Sequence, residues 1–154
     1  MRRFFDTNVL VCSQDSQDGA KRDVARAHVE DAIASDGFVL STQVLVEFHA
    51  TCLRRKLLGA AQALALVRLW SGHDTVPQTP ELLVRGLELH QEHSVSLWDG
   101  LIVQAALDAQ CDVLLSEDLQ HGRRFGDLEV VNPFIAAAHE TRAGYKRSKA
   151  RRSS

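Results

Sequence analysis

Four carboxylates stand in this sequence where carboxylates are costly to keep. Glu47 sits within Val44-Leu45-Val46-Glu47-Phe48, and its helical neighbours three residues away, Val44 and Ala50, are both apolar. Asp99 has Ile102, Val103 and Ala106 at i+3, i+4 and i+7. Solvated acids on a helix ordinarily have polar neighbours at such spacings. Asp6 closes a short apolar stretch at the start of the chain, and Asp118 follows another, at 112–115, by three residues. An unpaired buried carboxylate needs a counter-charge, and no Lys or Arg lies close in sequence to Glu47 or Asp99. One shared divalent cation would supply that charge to all four. The donors are all carboxylate oxygens, which suit Mg²⁺ or Mn²⁺ better than Zn²⁺. The pair His90-x-x-His93 resembles a metal motif but lies beside Glu88 and Glu92, and it reads as a solvated helix face. Each acid also has a plainer reading: Asp6 as a turn residue, Asp99 as a helix cap, Glu47 at the edge of an apolar face, Asp118 in a polar loop.

The elements that must position these acids follow from periodicity and end signals. Residues 3–5 predict a strand, with a loop at Asp6. Residues 20–35 carry an amphipathic helical pattern, stopped by Gly37. A short strand is expected over 38–40, then a helix capped by Ser41 or Thr42 and running to about residue 53. Gly59 separates it from a second helix reaching about residue 71. A third strand is expected over 75–78. Thr79-Pro80-Glu81 is a strong helix start, with cap, first-position proline and first-turn acid in order. Ser96-Leu97-Trp98-Asp99 has capping-box spacing, and the helix it opens is apolar on most faces, so a central position is expected. A buried strand at 112–115, a polar loop over 116–127 and a last strand at 128–131 complete the pattern. Short strands alternating with helices predict an α/β fold, a three-layer sandwich with a central parallel sheet. In such a sheet ligands bind beyond the carboxyl ends of the strands, where Asp6 and Asp118 fall.

The chain has 154 residues, one domain's worth, 45% hydrophobic and 25% charged. Cys12, Cys52 and Cys111 are far apart and odd in number, which predicts free thiols in a reducing, cytoplasmic compartment. No apolar run has the length of a membrane helix. The net charge of −2 hides an asymmetry: residues 1–139 hold 12 basic and 19 acidic residues, and residues 140–154 hold six basic and one acidic. The expectation is one globular domain over 1–139 and a basic, flexible tail over 140–154 that attracts nucleic acid or merely aids solubility.

The segments carrying the acids bear a resemblance. Phe5-Asp6-Thr7-Asn8-Val9-Leu10, Ser41-Thr42-Gln43-Val44 through Glu47-Phe48, Trp98-Asp99-Gly100-Leu101-Ile102 and Leu114 through Gly122 together resemble, in order and separation, the PIN-domain nucleases. Within them the sequence is most similar to the toxin subunits of VapBC-type toxin–antitoxin pairs. Any one motif is weak, whereas four in the right order are specific, and the likeness covers residues 3 to about 133. It implies a doubly wound α/β sandwich, four clustered acids holding Mg²⁺ or Mn²⁺, and endonucleolytic cleavage of RNA to a 5′-phosphate and a 3′-hydroxyl. It also implies an antitoxin protein as partner. On this footing Asp6, Asp99 and Asp118 are the expected metal ligands, and Glu47 orients the attacking water or bridges to the metal. Thr7, Asn8, Ser41 and Ser116 are expected to hydrogen-bond the acids, with turn or cap duty as the alternative for each. Arg54, Arg55, Lys56, Arg123 and Arg124 are candidates for holding RNA phosphates. The aromatic residues read mostly as core, so specificity is expected from RNA shape and local sequence in a loop. The apolar helix 59–71, with Leu64, Leu66, Val67, Leu69 and Trp70, suggests a homodimer.

Three other classes are weighed against this one. A receiver domain would need a lysine at the end of a late strand, and none occurs between Lys56 and Lys146. A haloacid-dehalogenase-like phosphatase would need D-x-D where this chain has Asp6-Thr7-Asn8. A catalytically silent PIN-like module that binds RNA or a protein is the remaining alternative.

Overall fold

Phe4 and Phe5 of β1 (Arg3–Phe5) are fully buried, and every residue of β2 (Phe38–Ser41) is buried. Strands apolar on both faces belong inside a parallel sheet covered by helices. The computed structural model, which describes residues 1–135, has this arrangement. β3 (Asp74–Val76), β2, β1, β4 (Val113–Leu115) and β6 (Leu128–Val131) pair in that order, all parallel, and β5 (Arg124–Phe125) adds an antiparallel edge to β6. The basic stretch 140–154 and the boundary expected before it lie outside the described residues.

The helices are α1 (Thr7–Cys12), α2 (Gly19–Ala34), α3 (Thr42–Arg54), α4 (Ala60–Ser71), α5 (Pro80–His93) and α6 (Leu97–Asp108). Successive connections from β1 to β2 and from β2 to β3 step one way across the sheet, and the connection from β3 to β4 steps back past β1. Right-handed crossovers therefore put α1–α4 on one face and α5–α6 on the other. Strand order reverses between β1 and β4, and a crevice opens there at the carboxyl ends. Across β1 and β2 the rings of Phe5 and Phe38 lie 4.9 Å apart, and Phe48 of α3 meets Trp70 of α4 at 4.8 Å, which ties the first helical layer to the sheet.

Local end signals hold. Ser41 accepts from Val44 N, Thr79 from Leu82 N and Ser96 from Asp99 N, each capping its helix. Three expectations need correction. Asp6 is not followed by a loop: it is itself the cap of α1. The third strand begins at Asp74 rather than residue 75 and ends at Val76. The stretch 116–127 is not all loop, because Arg124–Phe125 turns back onto β6 through Gly126-Asp127, with Gly126 at φ +59°. The two histidines are also not simply solvated. His90 Nδ1 engages the Val95 carbonyl, and the His93 ring meets Phe125 edge-on at 5.3 Å.

Asp99 owes its place to a close helix crossing. A Cβ on Gly100 would stand 2.6 Å from the Gly86 carbonyl oxygen and 2.9 Å from the His90 Cβ, so α6 lies directly against α5. Ala is ordinarily the better helix former, by about 0.8–1 kcal/mol. Here the added methyl meets backbone, and overpacking of this kind costs about 1–3 kcal/mol. Gly100→Ala is expected to lower the melting temperature by about 2–6 °C. A melting curve at or above that of the wild type would show that the crossing has slack.

Candidate active site

The crevice between β1 and β4 widens into a cleft of about 910 Å³ whose lining includes Asp6, Glu47, Asp99 and Asp118. The four acids arrive on four different elements. Asp6 ends β1 and caps α1, Glu47 lies mid-way along α3, Asp99 is in the first turn of α6, and Asp118 follows β4. Their mutual repulsion is felt: Asp118 and Asp99 act on Asp6, and Asp118 and Glu47 act on Asp99.

Asp6 is the deepest of them, 4% exposed. Its main-chain N–H donates to the Leu115 carbonyl at 3.0 Å, which pins it against β4. Its Oδ1 accepts from Thr7 N at 2.7 Å, and its Oδ2 accepts from the Ser116 hydroxyl at 2.7 Å and the Asn8 amide at 3.3 Å. Burial pushes its carboxyl up to about 7, helped by the charges of Asp118 and Asp99 and opposed by the Ser116 and Thr7 hydrogen bonds. Burial also raises Asp99, with Asp118 and Glu47 adding to it and the Ser96 hydroxyl opposing. Among the described residues none of the four acids pairs with a Lys or Arg. Two nearby cations are engaged elsewhere: Lys21 pairs with Glu117 at 2.6 Å and Arg55 with Asp15 at 2.8 Å.

Glu47 is held at both oxygens. The Thr7 hydroxyl donates to Oε2 at 2.7 Å, and the Gln43 amide donates to Oε1 at 2.8 Å. Gln43 also reaches the Trp98 carbonyl at 3.4 Å, which ties α3 to the start of α6. Each oxygen keeps a lone pair free for a further partner. Ser116, fully buried, donates to Asp6 and accepts from Asp118 N at 3.2 Å, and Asn8 Oδ1 accepts from Glu117 N at 3.3 Å.

Of the polar residues expected near the acids, Thr7, Asn8 and Ser116 lie against them. Ser41 does not: its hydroxyl is taken up by Val44 N at the head of α3. Of the basic residues, Arg54 and Arg55 line the cleft. Lys56, just past the α3 end, does not. Arg123 donates to the His93 carbonyl and lies over Phe125, and Arg124 pairs with Glu129, both away from the cleft. Sequence reasoning overlooked Gln43 and Glu117. Gln43 had a legible signal, a polar residue one helical turn before Glu47 on the same apolar face. Trp98 was read with the core aromatics but is exposed at the cleft.

Among the described residues no three of these acids are already drawn around one point as a closed metal cage; they ring an open cleft. An open, all-oxygen set still fits Mg²⁺ or Mn²⁺. Mg²⁺ keeps several of its waters and is held by one or two carboxylates rather than by a full protein cage. A buried carboxylate without a counter-charge, repelled by its neighbours, is the kind of group such a cation neutralises.

No curated protein sequence matches the chain. Solved structures do share its fold. VapC20 of Mycobacterium tuberculosis, described as a sarcin–ricin loop cleaving toxin, is 23% identical with a TM-score of 0.57, covering 88% of this chain and 94% of its own. VapBC2 from Rickettsia felis, solved on a DNA fragment from its promoter, is 15% identical with a TM-score of 0.60, covering 84% and 97%. FitAB, solved on an IR36 DNA fragment, is 19% identical with a TM-score of 0.57, covering 86% and 95%. The model of the PIN domain matches residues 3–125, most of the chain and every element that brings an acid to the cleft, and the chain belongs to the PIN-domain family.

Proposed function

We propose that the protein is a divalent-metal-dependent endoribonuclease and the toxin of a toxin–antitoxin pair. The observation that carries this reading is Asp6: a carboxylate buried at the strand-order switch, ringed by three further acids and paired with no Lys or Arg. Asp6, Asp99 and Asp118 would hold Mg²⁺ or Mn²⁺. When bound, such a cation supplies charge to a phosphodiester and makes water a competent nucleophile near neutral pH. Glu47, fixed by Thr7 and Gln43, is placed to accept the proton of the attacking water. Thr7, Asn8 and Ser116 hold the acids in position, and Arg54 meets the phosphates of the substrate. In-line attack leaves a 5′-phosphate and a 3′-hydroxyl.

The test is cleavage of total RNA by purified protein, stopped by EDTA and restored by Mg²⁺ or Mn²⁺. Asp6→Asn, Glu47→Gln, Asp99→Asn and Asp118→Asn are each expected to lower kcat by on the order of 100-fold or more. Gln43→Ala, which acts through Glu47, is expected to cost about 10- to 100-fold. Full activity in the Asp6 or Asp99 variant would overturn the mechanism. Sound binding without cleavage by the wild type would favour a silent RNA-binding module instead.

The pH dependence of stability tests the strain on Asp6 directly. Its carboxyl ionises from an ordinary value of 3.8 in the unfolded chain and at about 7 in the fold. Between those values the fold binds a proton that the unfolded chain has released. Stability therefore falls as pH rises through this window, and the loss is complete above about 7. Asp6→Asn keeps a competent helix cap and removes the titration. In EDTA the wild type is expected to lose on the order of a few kcal/mol between pH 5 and 8. The variant should not, and should melt higher at pH 8. Added Mg²⁺ should raise the wild type most at the higher pH. Parallel profiles for the two proteins would show that Asp6 carries no such strain.

The toxin reading draws support from the three solved relatives. The partner is then an antitoxin protein that covers the cleft, and the compartment the cytoplasm. Leu64 and Leu69 remain exposed on α4, which supports a homodimer through that helix, readable by sedimentation at micromolar concentration. Expression of the protein alone should arrest bacterial growth, and expression of the Asp99→Asn variant should not. Harmless accumulation of active enzyme would remove the toxin assignment.

A further inference from the structure

The aromatic side chains divide sharply. Phe4, Phe5 and Phe48 are fully buried, and Phe38, Phe125 and Trp70 nearly so. Phe134 has the Lys21 ammonium 4.8 Å above its ring. Trp98 is 61% exposed, and among the described residues no aromatic ring or cation faces it. An isolated exposed apolar residue is ordinary on a protein surface. The position of this one is not. Trp98 lines the cleft and is the chain neighbour of Asp99. Its main chain is fixed by the Ser96 cap, by the Gly86–Gly100 crossing and by the Gln43 hydrogen bond to its carbonyl. The indole is thus a free surface on a rigid mount, beside the acids. Val46, 64% exposed, offers a second apolar surface in the same cleft.

The charge pattern indicates what fits there. A polyanion approaching four carboxylates is repelled at the point where its phosphate must sit. Among the described residues, basic side chains line only the Arg54–Arg55 end of the cleft, and Arg55 is engaged by Asp15. Beyond the reacting phosphate, which the proposed cation would serve, binding close to the acids is favoured for the uncharged part of the substrate. A nucleobase stacked on indole supplies it without cost from the carboxylates, and stacking is the means by which unpaired bases are held. A base inside an A-form duplex is already stacked on its neighbours and does not present its face.

Resting on the ribonuclease reading above, we propose that Trp98 is a substrate-binding residue that stacks an unpaired base of the nucleotide next to the scissile phosphate. The stack requires that base to be unpaired, so Trp98 is the residue through which paired RNA is discriminated against.

Trp98 is the only exposed tryptophan, and Trp70, 4% exposed, contributes a steady background, so intrinsic fluorescence reports on the site. The full-length protein in EDTA, where cleavage is off, is titrated with a short single-stranded oligoribonucleotide. Its fully paired duplex and a series carrying one abasic ribose at successive positions are titrated in parallel. Quenching is expected with the single strand, little with the duplex, and loss of quenching at one abasic position. Trp98→Ala should abolish the quench and weaken binding by about 5- to 150-fold, the range that base–aromatic stacking spans. Trp98→Phe should restore most of the affinity, and both variants should melt as the wild type does. In Mg²⁺ the Trp98→Ala loss should fall on KM for single-stranded substrate, with kcat for Asp99-dependent cleavage largely kept. Equal binding and cleavage by wild type and Trp98→Ala would overturn the proposal and leave the ribonuclease reading intact. So would iodide shielding of Trp98 that grows with protein concentration alone, since a second copy would then cover the indole. A wild type that neither binds nor cuts RNA would overturn both.

Discussion

The structure is organised around one unfavourable act, the burial of the Asp6 carboxylate at the end of the central strand. Its main chain is locked to β4, its oxygens are crowded by Thr7, Asn8 and Ser116, and only 4% of it is exposed. Three hydrogen bonds offset part of the desolvation, yet the carboxyl still sits near 7. Removing one partner of a buried ion pair leaves a comparable uncompensated charge. Here the fold itself leaves the charge uncompensated, and the charges of Asp118 and Asp99 make the imbalance worse. On the metal-dependent reading proposed above, an arrangement that is costly for a bare protein would become favourable with a bound cation, and the acids' neighbours suit that: hydroxyls and amides that orient carboxylates without neutralising them.

The rest of the fold serves to keep those acids near one another without letting them relax apart. The strand-order switch between β1 and β4 brings Asp6 and the Ser116–Asp118 segment side by side. α6 is pressed on α5 through Gly86 and Gly100, which leaves Asp99 little freedom to retreat. Gln43 links α3 to the start of α6, so Glu47 and Asp99 are set by a shared connection and not by two independent helices. Repulsion among the acids is then stored in elements that are individually well capped and well packed. This is where strain at a functional site is tolerated.

What was legible in the sequence was local. Caps at Ser41, Thr79 and Ser96 declare themselves because the residue that ends one element also begins the next. The buried strands and central α6 were legible from continuous apolar runs. α1 was not: six residues with three consecutive apolar positions have no period by which to tell helix from strand. The two-residue β5 is shorter than any pattern can register, although Gly126-Asp127 was a turn signal in plain view. The acids themselves were legible because each was out of place among apolar neighbours. Their surroundings were not. Lys21 meets Glu117 and Arg55 meets Asp15 across long sequence separations, so the sequence offers no hint that these cations are already committed. Ser41 looked like a partner for the acids and is occupied by its own helix. Trp98 looked like core because most tryptophans in a domain of this size are.

Those commitments bear on how an acidic protein handles an acidic polymer. The domain carries more acid than base, and the two cations best placed to soften the cleft are bound by Asp15 and Glu117. Both acids accept those cations outside the ring of four, and Asp15 is itself buried. Arg55 and Lys21 thus act as struts that hold the α1–α2 segment against α3 and against the loop after β4. General electrostatic attraction is weak in such a cleft, and long-range charge does not discriminate among RNA sites in any case. For the proposed RNA substrate, selectivity would then rest on short-range, largely neutral contacts made close to the reacting phosphate. On the reading proposed above, a cleft with acids at its centre, a free indole at its edge and arginines at its far end would separate those tasks in space: the carboxylates would be left to chemistry, and recognition moved to groups whose interaction with a base does not depend on charge.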